Sequence, residues 1–172
     1  MGFSARVRPS TEADVAAITA IYAHYVRTGT ATFELDAPDH REMMRRRAAI
    51  LDHNFPHLVA ESEDEEILGY CSAGPYRLRP AYRFTMEDSI YVAHTATGQG
   101  IGKLLLSDLL LRCEALGCRE MIAVIGGSSN YASIRLHEHF GFTHVGTLRH
   151  VGFKFDTWLD TVLMQRSFSG TL

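Results

Sequence analysis

Three stretches of this chain combine residue types and spacings that invite chemistry. "TATGQGIGK" alternates Gly98, Gly100 and Gly102 immediately before Lys103 and a helix-forming run. Glycines there permit close backbone approach, and the free amides that open a helix are donors for phosphate oxygens. A sharp structural turn accounts for the same glycines. The run is not a Walker loop, because Thr97 stands where that pattern needs its first glycine and no Ser or Thr follows Lys103. Just upstream, "FTMEDSIYV" sets Glu87 in a strand-like run. A carboxylate there is either a proton acceptor for a reacting group or a solvated glutamate. Asp88 is adjacent and should face the other side of an extended strand, so the two carboxylates are not expected to cooperate. In "PYRLRPAY" Arg77 and Arg79 flank Leu78, a spacing that can aim both guanidiniums at one carboxylate or tetrahedral phosphinate.

The elements that must hold these residues follow from periodicity and punctuation. Ala5 to Arg8 predicts a strand, and Thr11 with Asp14 predicts a helix entry before Val15, Ile18, Ile21, Tyr22 and Tyr25. Gly29 ends that helix, and Asp39 opens a second, whose Arg45 to Arg47 reads as a solvated face. "HLVAES" and "ILGYCSAGPY" form a hairpin about the acidic turn "EDEE". "YRFTMEDSIYVA" is strand-rich, and the helix after the glycines sets Leu104, Leu105, Leu109 and Cys113 on one face before Gly117 stops it. "REMIAVIG" is an internal strand, Asn130 opens a last helix, and strand-like segments complete the chain. The order β–α–α–β–β–β–α–β–α–β–β predicts one mixed α/β domain spanning 1–172 around a central sheet.

Composition narrows the function classes. The 172 residues suit one well-filled core, and a formal net charge of −3 gives no general reason to expect nucleic acid. No apolar run approaches a membrane span. Cys71, Cys113 and Cys118 cannot all pair and match no compact zinc pattern, so reduced thiols in a cytoplasmic protein are expected. The scattered histidines, His137 and His139 among them, form no persuasive metal-ligand set.

The stretch from Thr97 to Lys103 resembles the acetyl-CoA-binding segment of the GCN5-related N-acetyltransferase family, with Thr97 in place of the usual Arg or Gln. "NYASIRLHEHFGF" is similar to a second segment of that family, with Asn130 and Gly141-Phe142 in register. "IYAHYVRTGTATFE", "AYRFTMEDSIYV" and "GFKFDTWLD" extend the resemblance over nearly the whole chain, toward the phosphinothricin and methionine sulfoximine acetyltransferase branch. The resemblance implies acetyl-CoA as cosubstrate, no metal, a homodimer, and transfer to the α-amine of a small amino acid-like substrate. It implies Glu87 as the base, and Tyr91 and Val92 as backbone contacts to the pantetheine or acetyl end. It further implies Gly98, Gly100, Ile101, Gly102 and Lys103 around the pyrophosphate, with Asn130 on pantetheine. His137 stands where the family often has a tyrosine that protonates the departing thiolate, and its role stays open. Phe33, Glu34, Arg77, Arg79 and Tyr82 are implied on the acceptor side, with Phe153, Lys154 and Trp158 supporting them or an interface. Two other readings remain: an N-terminal peptide acetyltransferase and a non-catalytic acyl-CoA sensor.

Overall fold

The computed structural model describes residues 4–168, so both ends of the expected 1–172 domain lie outside the described residues. Its strands are β1 (Ala5–Pro9), β2 (His57–Ser62), β3 (Ile67–Pro75), β4 (Thr85–Val92), β5 (Glu120–Gly126), β6 (Thr143–Lys154) and β7 (Thr157–Ser167). Its helices are α1 (Val15–Thr28), α2 (His40–Asp52), α3 (Ile101–Ala115) and α4 (Tyr131–His139). They follow one another in the expected order and build one sheet, β1-β2-β3-β4-β5-β7-β6.

Neighbouring strands run antiparallel except β4 and β5. That parallel pairing spans only Thr85↔Glu120 to Asp88↔Ala123. Beyond it β4 continues to Val92 and β5 to Gly126, so the two strands part at Asp88. A gap therefore opens in the middle of the sheet, where a flat sheet would present paired backbone.

Helices cover the two faces unequally. α3 buries Leu105, Leu106, Leu109, Leu110 and Cys113 against β3, β4 and the strands beside them. Leu104 was expected on that buried face but is 38% exposed, because the stripe is set by Ile101 and its i+4 partner Leu105. On the other face α1 and α2 pack on β2, β3 and β4 through Val15, Ile18, Tyr22, Met43, Val59 and Tyr70. Thr11 caps a short 3-10 turn before α1, its amide donating to Asp14 Oδ2 at 2.6 Å.

The arginines of α2 depart from the expected solvated face. Arg45 pairs with Glu42 at the surface, but Arg46 reaches Glu34 at 2.6 Å, and Arg47 donates to the Ser10 hydroxyl at 2.8 Å. They tie α2 to the loop after α1 and to the end of β1, because carboxylate and hydroxyl acceptors lie within reach of long, flexible stems.

Candidate active site

The gap between β4 and β5 becomes a cavity of about 820 Å3. The separated strand ends form its walls, with Ser89 to Val92 on one side and Ala123 to Gly126 on the other. The glycine turn closes one end, and Asn130, Ser133, Leu136 and His137 of α4 and its cap line another side. Strand ends that have lost a partner present backbone donors and acceptors to whatever occupies the gap.

The turn is built as a cradle. Gly98 and Gly100 have φ of 76° and 85°, a left-handed conformation that glycine adopts without strain. A Cβ added at either would meet no protein atom within 4 Å, so the space above them is open. Ile101 anchors the helix start in the core, and the amides of the first turn of α3, through Gly102 and Lys103, lack intrahelical partners. Those amides and the dipole of a 15-residue helix favour a phosphate there. Asn130 caps α4 by accepting from the Ser133 amide at 3.3 Å, yet it still borders the cavity, so capping and ligand contact coexist. An acyl-CoA fits this donor set: phosphates at the amide cradle and an amide-bearing arm along the parted strands.

Glu87 borders the same cavity, half-buried. Burial, reinforced by the Asp88 charge, raises its pKa above the ordinary carboxylate value, and Arg77 opposes that only in part. Such a group takes up a proton more readily than a solvated glutamate. Val92 accepts a hydrogen bond from the Tyr25 hydroxyl at 2.5 Å, which fixes the end of β4 against α1. The Tyr91 ring packs edge-on against Tyr22 at 5.0 Å, so its side chain serves the core, and the residue also borders the cavity.

His137 is 2% exposed, with Nδ1 lying 2.7 Å from the Ser133 carbonyl and Nε2 3.0 Å from Asp88 Oδ2. Burial would lower the pKa of this ring, but the Asp88 carboxylate and the Ser133 carbonyl outweigh it and the net shift is upward.

The cavity thus brings together Glu87, His137, Tyr91, Val92, Gly98, Gly100, Ile101, Gly102, Lys103 and Asn130, but none of the five acceptor-side candidates. Phe33 packs against Gly126 and Gly152, whose missing Cβ atoms leave room for its ring. Glu34 bonds Arg46 and, at 2.8 Å, the Tyr22 hydroxyl; burial alone would raise its pKa, and these donors hold it lower. Arg77 and Arg79 are exposed, with the Arg77 guanidinium 4.8 Å from the Tyr76 ring centre. Tyr82 lines a second hollow of about 270 Å3 with Tyr76, Thr85, Ile122, Val145 and Leu163. Ile122 is the cross-strand partner of Glu87, so this hollow lies on the Glu87 face of the sheet.

Sequence reasoning missed Tyr25, the end of β5 and Asp88. Tyr25 reads from its spacing only as part of the buried face of α1, and the β5 end becomes a wall only through the strand separation. Asp88 does face away from Glu87 as expected, yet it is buried beside the cavity and bonded to His137. Among the described residues no group of three or more His, Cys, Asp or Glu is arranged to hold a metal, and no helix is long and apolar enough to cross a membrane. Cys71, Cys113 and Cys118 are free and buried.

A mixed sheet that parts at its parallel pair, with a glycine turn feeding a helix into the gap, is the architecture of an acyl-CoA-dependent acyltransferase. The chain belongs to the GNAT acetyltransferase family, whose model matches residues 18–142. It is 55% identical over 160 residues to a phosphinothricin N-acetyltransferase of Alcaligenes faecalis, covering 93% of this chain and 81% of that one. It is 38% identical over 168 residues to an L-methionine sulfoximine/L-methionine sulfone acetyltransferase of Pseudomonas paraeruginosa, covering 98% and 97%. The crystal structure of a phosphinothricin acetyltransferase from Sinorhizobium meliloti, in complex with AcCoA, superposes with a TM-score of 0.93 at 45% identity, covering 98% of this chain and 89% of that one.

Proposed function

We propose that this enzyme transfers the acetyl group of acetyl-CoA to the α-amine of a small amino acid analogue of the methionine sulfoximine or phosphinothricin class. The observation that carries the reading is the half-buried Glu87, which borders the same gap as the glycine cradle. The names of the similar enzymes from Alcaligenes faecalis and Pseudomonas paraeruginosa supply the acceptor class.

Acetyl-CoA supplies an activated thioester. The amides of Gly98, Gly100, Ile101, Gly102 and Lys103 hold its pyrophosphate, and Asn130 with the free edge of β4 at Tyr91 and Val92 takes the pantetheine arm. An α-ammonium has no lone pair, so Glu87 first accepts its proton, directly or through one water. The amine then attacks the carbonyl carbon, and backbone amides of β4 stabilise the negative charge that grows on oxygen. The carbon–sulfur bond breaks, the nitrogen gives up its second proton to water as the amide forms, and His137, at the cavity wall and in a proton-bearing form, is the candidate to protonate the leaving sulfur. Arg77, Arg79, Tyr82, Phe33 and Glu34 shape the acceptor side, an arginine meeting the substrate carboxylate or phosphinate.

The single-domain organisation over 1–172, a cytoplasmic location and a homodimer belong to the same reading. Free buried thiols support the location. Exposed Leu148, Phe153 and Trp158 on β6 and β7 support a second copy as partner.

The test is acetyl-CoA-dependent thiol release with methionine sulfoximine, phosphinothricin, free amino acids and short peptides. Selective turnover of the two analogues is expected. Turnover of peptides alone would replace the reading with peptide acetylation, and tight acetyl-CoA binding without turnover of any amine would replace it with a sensor.

A further inference from the structure

Asp88 is the last residue of β4 paired to β5, at the vertex from which the strands diverge. Its side chain is 1% exposed, with Oδ2 3.0 Å from His137 Nε2. Its Oδ1 is buried without a hydrogen-bond partner in the structure. The His137 ring bridges from α4 to this carboxylate while Nδ1 lies 2.7 Å from the Ser133 carbonyl. The Ser133 carbonyl only accepts, as does Asp88 in its carboxylate form, and a neutral imidazole donates from one nitrogen alone. A ring carrying both protons satisfies the two contacts together against the carboxylate, whereas a neutral ring would need a protonated Asp88 donating to Nε2.

The surroundings leave that pair of charges to each other. Phe142 meets the His137 ring edge-on at 4.9 Å, and the Ser133 hydroxyl is 3.4 Å from Nδ1. Cys71 from β3 and Cys113 from α3 both feel the Asp88 charge. Burial pushes the Cys71 thiol well up and the Cys113 thiol to about 12, so both stay neutral. Asp108 and Arg112 of α3 pair with one another at 2.7 Å. Arg135 and His139 share α4 with the ring, and Glu87 projects from the opposite face of β4.

We propose that Asp88 is a positioning residue for acetyl transfer, holding His137 doubly protonated and pinning α4 to the vertex of the parted strands. The proposal rests on the acetyl-transfer reading for its kinetic consequences, but the charge state of the ring stands independently. The tie joins residues 49 positions apart in sequence and fixes the helix capped by Asn130 against the strand that carries Glu87, Tyr91 and Val92. It also sets a negative charge one residue from Glu87, so one carboxylate influences the candidate base and the candidate acid together.

Nitrogen NMR of the His137 ring in the wild-type enzyme at about neutral pH reads the charge state without any turnover. Two protonated nitrogens are expected; a neutral ring with one proton overturns the proposal even if acetyl transfer is active. If the ring is doubly protonated and no amine is acetylated, the acetyl-transfer reading fails alone. In Asp88→Asn the bell of kcat/KM against pH should move to lower pH on both limbs, by about one unit each. The alkaline limb moves because His137 loses its counter-ion, and the acid limb because Glu87 loses a neighbouring negative charge. A rate lowered at every pH with both limbs in place would mean a structural role only. His137→Gln supplies the second arm: Asp88→Asn added to it should cost less than about twofold more in kcat, because Asp88 acts through the ring. Fully multiplicative losses overturn the proposal.

Discussion

Glu87 carries the chemistry proposed for the acceptor amine, and its setting makes the assignment measurable. Replacing it with Gln keeps the shape of the side chain and removes the proton acceptor. The expected result is a kcat about a hundredfold or more lower, with the dissociation constant for acetyl-CoA changed less than about twofold. An equal loss of cofactor binding would mean that Glu87 supports the cavity wall instead. The pH dependence follows from the raised pKa of this carboxyl. Activity needs the ionised form, so this group sets the acid limb, and activity is lost as the pH falls through a value above the ordinary glutamate pKa of about 4.3. Arg77 opposes that upward shift, so Arg77→Gln should move the acid limb further up in pH, the reverse of the Asp88→Asn displacement. A limb that stays put in Arg77→Gln would place this guanidinium outside the electrostatic reach of the base.

At the scale of elements, the loop between α1 and α2 is the least regular part of the site and the most heavily tied. Lys154 at the end of β6 is 3% exposed, and its Nζ donates to the Gly29 carbonyl at 2.8 Å and the Thr32 carbonyl at 2.9 Å. Phe33 of that loop sits over Gly152, and Glu34 is clasped by Arg46 and Tyr22. Lys154→Met keeps the apolar stem and strips two carbonyls of their donor, a loss of about 1–3 kcal/mol. Acceptor KM should rise while acetyl-CoA affinity holds, which separate titrations would read; equal weakening of both would show that the loop serves the cofactor. Much of the element pattern was legible in the sequence. The glycine turn, the caps at Asp39 and Asn130, and the apolar stripe at Leu105, Leu109 and Cys113 depend on residues close together, so local spacing reveals them. The parting of β4 from β5 was not legible, because each strand looks continuous by itself and the gap is a property of their pairing. Asp88–His137 and Lys154–Thr32 escaped for the same reason: they are made between distant positions by folding. Arg46 misled because a run of three arginines looks solvated until the Glu34 loop is brought beside it.

At the scale of the whole molecule, half of one sheet face carries the α1–α2 loop at one end but, among the described residues, no packed helix. α1 and α2 pack on β2, β3 and β4, while β5, β7 and β6 extend beyond them. On that face Val124 is 43% exposed although β5 is an inner strand, and Val145 and Leu148 on β6 are 57% and 49% exposed, whereas Phe153 and its cross-strand partner Trp158 are exposed on the opposite face. Single exposed apolar residues are ordinary, but a run of them along neighbouring strands is the mark of an interface. The hollow lined by Tyr82, Val145 and Leu163 borders this same region. A second copy laid on that face would therefore cover the acceptor side while leaving the glycine cradle, at the other end of the gap, untouched. Sedimentation of the wild-type enzyme should give a dimer, and Leu148→Glu, which inserts a charge into the covered surface, should give a folded monomer. If the partner completes the acceptor side, that monomer will bind acetyl-CoA normally and show an acceptor KM higher by about tenfold, equivalent to roughly 1.4 kcal/mol. A monomeric variant with unchanged KM for both substrates would make each subunit a self-sufficient enzyme and confine the exposed strands to assembly alone.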